Sequence, residues 1–168
     1  MFFRNLNKLR LSPINVQKTP DMEFQPLTPA EISAIDPFVG LGDRVNYQTR
    51  HVVSAFIKKK EFLGLRKTLL DKAGNIETLH EELSVVPEPN RPPEWIENMG
   101  HTTRELNRVR IEIDEVIEST KAEDSKIAAV RHELILINEM HPSAWHTTQV
   151  LLDTIEMGLN RPYHPLWK

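Results

Sequence analysis

The fold class this sequence predicts is all-α: a helical bundle built on one long coiled-coil-like helix over residues 99–141, with extended, Pro-rich arms at the N and C termini. Two observations carry that prediction. The first is a seven-residue repeat. With Leu106 as an a position, the a and d sites read Met99, Thr102, Leu106, Val109, Ile113, Val116, Thr120, Glu123, Ile127, Val130, Leu134, Ile137 and His141. Most of these are apolar, so one side of the helix carries a continuous stripe that another helix must cover. The second is the placement of proline. The 12 Pro residues cluster at 13–37, 87–93 and 142–165, which leaves 38–86 and 94–141 as the blocks where regular helices can run.

Composition narrows the function classes. With 168 residues the chain can bury a proper core without covalent staples. The absence of Cys removes disulfides, thiolate nucleophiles and Cys-ligated zinc, and argues against a disulfide-stabilised secreted module. Net charge is -3, and the basic residues are dispersed among acids, so nucleic acid is a disfavoured partner. No stretch approaches the roughly 20 apolar residues that a bilayer span needs.

In chain order, residues 1–27 read as an N-terminal arm and strap. Phe2, Phe3, Leu6 and Leu9 alternate with Arg4, Lys8 and Arg10, and no acid precedes Asp21. That composition suits a transit peptide. Because the stretch starts at Met1, an arm that packs Phe2 and Phe3 on a neighbouring subunit is the favoured reading. Pro13, Pro20 and Pro26 then favour an extended path. Thr28-Pro29-Ala30-Glu31 has capping-box spacing and opens a short helix to about Ile35.

Gly40-Leu41-Gly42 reads as a hinge before a helix capped by Asp43, with Val45, Val52, Val53, Phe56 and Ile57 on one face. Lys58-Lys59-Lys60 suits a helix end. Phe62, Leu65, Leu69 and Leu70 continue the helical spacing to Ala73, with Gly74 as its stop and a further short helix over 77–83. Whether residues 44–73 form one helix or a hairpin is open at this level. The Pro-rich residues 85–93 connect the two helical blocks, and Trp95 covers the junction. The doubtful point in the long helix is 119–125, where Thr120 and Glu123 are poor core residues. The apolar phase is unchanged on either side, which favours one helix over a hairpin. A last helix runs from Ser143 to about Met157 with Trp145, Thr148, Leu152 and Ile155 inward and Gly158 as stop. The helical domain is therefore 28–158, followed by a C-terminal tail, 159–168, whose Tyr163, Leu166 and Trp167 are expected to dock on another surface.

Chemistry is faint. His132, His141 and His146 lack the i, i+3 or i, i+4 spacing of helical metal ligands, and no Ser lies in a strand-to-helix elbow. No cofactor and no metal is expected. Glu112 and Glu115 share a face in a way that resembles the paired carboxylates of all-helical nucleotide pyrophosphatases. The second half of that pattern, an ExxD starting at Glu133, is broken because position 136 is Leu. The group Glu112, Asp114, Glu115 and Glu118 is expected to be a solvated acidic face.

The function expected from all this is a non-enzymatic structural or assembly protein, one subunit of a larger macromolecular complex, with a virion or phage assembly component favoured and the virion or host cytoplasm as its place. Its partners are other protein subunits, its partner-binding residues Phe2, Phe3, Tyr163, Leu166 and Trp167, and its helix-packing stripe Leu106, Val109, Ile113, Val116, Ile127, Val130, Leu134 and Ile137. The alternatives are a subunit of a mitochondrial complex, in the matrix, or a small metal-dependent hydrolase using Glu112, Glu115, His132 and Glu133.

Overall fold

A computed structural model describes residues 23–160, which places Phe2, Phe3, Tyr163, Leu166 and Trp167 outside the described residues. The protein is all-α, with no strand among the described residues. Helix α1 is Pro29–Ser33, α2 is Gly40–Ser84, α3 is Trp95–Met140 and α4 is Trp145–Asn160, with single 3-10 turns at Glu88–Asn90 and Pro142–Ala144.

Helix α1 starts as its sequence predicts. The Thr28 hydroxyl accepts from the Glu31 N–H at 3.2 Å, and the Glu31 carboxylate accepts from the Thr28 N–H at 3.1 Å. The Thr28 N–H first, and then the Thr28 side chain, lower the pKa of the exposed Glu31 carboxyl.

Helix α2 departs from expectation. It is one helix of 45 residues that begins at Gly40 and runs through Lys60, Gly64 and Gly74. None of the described glycines takes a positive φ, so the Gly40–Gly42 hinge, the stop at Gly74 and the separate helix 77–83 do not exist. The reason is periodic burial. Val52, Ala55, Phe62, Leu65, Leu69 and Ala73 are all buried at helical spacing across the supposed breaks, and tertiary packing overrides the low propensity of Gly. Asp43 accordingly sits inside the first turn, near the positive end of the helix dipole, rather than at a cap. Ile57, expected inward, is 45 % exposed.

Helix α3 spans 46 residues, about 69 Å at 1.5 Å per residue. It starts four residues earlier than the repeat suggested, after Pro93, with the Trp95 N–H bonded to the Pro92 carbonyl at 3.0 Å. It passes through 119–125 unbroken. Leu106, Val109, Val116, Ile127, Val130, Leu134 and Ile137 are buried, and Ile113 is half-buried beside a buried Glu112.

Two compact units divide the chain, one of residues 62–119 and the other of the described residues before and after that stretch. In the second of these, α4 lays Leu151 and Ile155 against Val52, Ala55, Phe56, Ile127, Val130 and Leu134. Here Thr148 and Ile155 are inward as expected, but Trp145 is 43 % exposed and Leu152 half-buried, because the buried side runs through Ala144, Thr148, Leu151 and Ile155. Gly158 is not a stop. It lies within α4, and a Cβ there would stand 2.2 Å from Phe56 Cζ, so the helix approaches Phe56 only because residue 158 has no side chain. In the 62–119 unit the connection is closed by Trp95, whose indole N–H donates to the Leu83 carbonyl at 2.8 Å and whose ring lies 4.1 Å below Arg91.

Candidate functional site

The densest polar centre is built on Glu133 of α3, which is 2 % exposed. Facing it, α2 presents Arg44, Tyr47, Gln48 and His51 at spacings of three and four, which puts them on one side of the helix. Arg44 grips the carboxylate in bidentate fashion, Nε to Oε2 at 2.8 Å and Nη2 to Oε1 at 2.6 Å. The Gln48 amide donates to Oε2. The Leu27 backbone N–H donates to Oε1 at 2.6 Å.

Those contacts draw in the extended segment before α1. Arg44 Nη2 also donates to the Gln25 carbonyl at 2.6 Å, and the Gln25 N–H donates to the Tyr47 hydroxyl at 3.1 Å. Phe24, 7 % exposed, packs against both Tyr47 and His51, with centroid distances of 5.8 and 5.7 Å, while those two rings meet edge-on at 4.5 Å. The Arg44 guanidinium lies 5.2 Å from the Phe24 centroid and 4.5 Å from that of Tyr47. The cradle thus recognises one aromatic side chain and three backbone groups of an extended peptide, and here that peptide is residues 24–27.

Chemically the centre is committed. A carboxylate offers about four acceptor positions, and four internal N–H donors converge on Glu133 while its charge is matched by Arg44. Such a carboxylate is a lock rather than a base or a metal ligand. Gln48 Oε1 is left buried without a hydrogen bond, because the amide is oriented to give its donor to Glu133.

Two further charged groups lie in the helix interfaces. Lys58 is 6 % exposed near Glu123, 5 % exposed, and burial lowers the Lys58 pKa while Glu123 raises it in part. Glu123 also pairs with Lys126 at 3.5 Å, and Lys59 pairs with Asp124 at 2.8 Å. In the 62–119 unit, burial pushes the Lys72 amine down to about 8, opposed by the fields of Glu112 and Glu105.

The hydrolase candidates are not gathered. Glu133 is tied to Arg44, Glu112 belongs to the 62–119 unit, and Glu115 and His132 are exposed. The expectation of a solvated acidic face needs correction at Glu112, which is 6 % exposed in the field of Lys72, whereas Asp114, Glu115 and Glu118 do face outward. His141 Nε2 lies 2.7 Å from the Ile32 carbonyl and His146 stacks on Trp145, so these two rings serve local packing. No group of three His, Asp or Glu suited to a metal occurs among the described residues. No described helix is long and apolar enough to cross a membrane. Compared with protein-family models, with characterised proteins and with solved structures, the chain matches none.

Sequence reasoning missed the cradle. Its signal was present as the run Arg44-Val45-Asn46-Tyr47-Gln48, where polar residues occupy positions that helical spacing assigns to the buried side. Only their partner Glu133, 85 residues or more away, explains them.

Proposed function

We propose that this protein is a structural or assembly subunit of a larger macromolecular complex that acts through its surfaces. The observation that carries the reading is where large apolar side chains are left in water. Phe38 and Val39, between α1 and α2, are 94 % and 67 % exposed, and Val85 and Ile96, flanking the α2–α3 connection, are 78 % and 78 % exposed. Such positions gain free energy when a partner covers them, roughly 1.5 to 3 kcal/mol for each large side chain. The Glu133 centre supports the same reading, since it spends its charge and donors on fastening a peptide segment.

A virion or phage assembly component suits a chain without Cys whose ends carry Phe2, Phe3, Tyr163, Leu166 and Trp167 as anchors. The basic, acid-free start with Arg4, Lys8 and Arg10 favours a mitochondrial complex as the second setting. The test is the native mass by light scattering, alone and in its source extract. Deleting residues 1–12 or 161–168 is expected to break the large species down into smaller ones while the helical circular dichroism persists. A full-length chain that stays a single 19.5 kDa particle in its own extract would refute the assembly role.

A further inference from the structure

The segment 24–33 behaves as a plug. Its hold on the helices consists of Phe24 and Ile32 buried in two apolar clusters, the backbone bonds of Gln25 and Leu27 to Tyr47, Arg44 and Glu133, the Ile32 carbonyl against His141 Nε2, and the Ser33 hydroxyl 3.6 Å from Met140 Sδ. Most of these contacts read backbone, so they are indifferent to which chain supplies the plug. The linker from the plug to α2 is Asp36-Pro37-Phe38-Val39, closed by the Phe38 N–H on the Asp36 carboxylate at 2.9 Å and the Leu41 N–H on the Asp36 carbonyl at 3.1 Å. Pro37 biases Asp36 toward extended backbone. The two side chains at the centre of that linker, Phe38 and Val39, have almost nothing to pack on.

We infer that two copies of this chain exchange residues 24–33, each cradle holding the partner's plug, with the linkers opened side by side and the two Phe38-Val39 pairs buried against each other. The exchanged contacts are the same ones seen within a single chain, so exchange forfeits only the two turn bonds of each linker, and burial of four apolar side chains offsets them. The inference deepens the assembly reading by naming one partner, a second copy.

The chain has no Cys, so S33C and M140C each introduce a single thiol, at neighbouring positions. The two variants are unfolded together, refolded as a mixture and treated with a short bismaleimide. Exchange predicts a covalent dimer that neither variant gives alone, a native mass twice that of one chain, and at least tenfold weaker dimerisation for F38S/V39S. The S33C/M140C double variant reports the contact itself, and its failure to cross-link in any form would overturn the inference. A dimer of native mass with no cross-chain product would overturn exchange while leaving the assembly reading standing. A monomer whose double variant links only within the chain would overturn exchange and self-assembly together.

Discussion

Glu133 shows what one residue can decide. Its replacement by Ala leaves the Arg44 guanidinium, the Gln48 amide and the Leu27 N–H without their acceptor in a buried place. Breaking one partner of a buried pair costs about 3 to 5 kcal/mol. Glu133→Ala is therefore expected to lower stability by that amount in urea unfolding, and to release the 24–27 segment to protease, whereas Glu118→Ala, on the exposed side of α3, should change stability by less than about 0.5 kcal/mol. Lys72 gives the complementary case. Because the folded amine titrates near 8, the native protein loses its proton before the unfolded chain does, whose lysine titrates near 10.4. Between those values the unfolded state binds more protons, so the Lys72 contribution to stability rises with pH across this window and is flat below it. Comparing wild type with Lys72→Met at pH 7 and pH 9.5 measures that slope. At pH 7, where the buried ammonium costs most, Lys72→Met is expected to stabilise the protein, and the gain should shrink at pH 9.5.

At the scale of the element, the long helix was legible and its companion was not. The α3 repeat has one phase and no Pro, although Glu112 and Glu133 are buried off the a and d positions and Ile113, on one of them, is only half-buried. Helix α2 carries four glycines, Gly40, Gly42, Gly64 and Gly74, and a Lys triplet. Local rules read each of these as a boundary. Nothing local reveals that they lie in a helix held by the apolar residues between them. The polar centre was illegible for a related reason. Arg44 and Gln48 look like surface residues until Glu133 is placed opposite, and Glu123 looks like a loop residue until Lys126 and Lys58 surround it. Glycines in α2 and α4 should therefore respond in opposite directions. A Cβ at Gly64 or Gly74 meets nothing within 4 Å, so Gly64→Ala and Gly74→Ala are expected to stabilise by about 0.5 to 1 kcal/mol each. Gly158→Ala drives a methyl into the Phe56 ring and should lower the melting temperature, with Phe56→Leu in the same chain restoring part of it.

Over the whole molecule, charge is unevenly dealt. Residues 23–160 carry 15 Lys and Arg against 23 Asp and Glu, while residues 1–22 and 161–168 together carry six Lys and Arg against one Asp. Basic ends on an acidic body favour attachment of one copy's ends to another's body, and such attachment weakens with ionic strength. Assembly is expected to loosen between 50 mM and 500 mM NaCl, and sedimentation velocity at the two salt levels would show it. The glycines of α2 carry a further consequence. Gly64 and Gly74 both fall in the 62–119 unit, which buries Phe62, Leu65, Leu69, Ala73, Leu106, Val109 and Val116, fewer apolar side chains than the other unit buries. Helical backbone held by fewer apolar contacts opens more often, and opening free energies differ between cooperative segments of one chain. Amide deuterium uptake should thus map a gradient, with peptides from 66–80 and 100–115 exchanging early and those from 50–57 and 127–137 last. The protein would then lose its structure in two stages, with the fold around the Glu133 lock outlasting the rest.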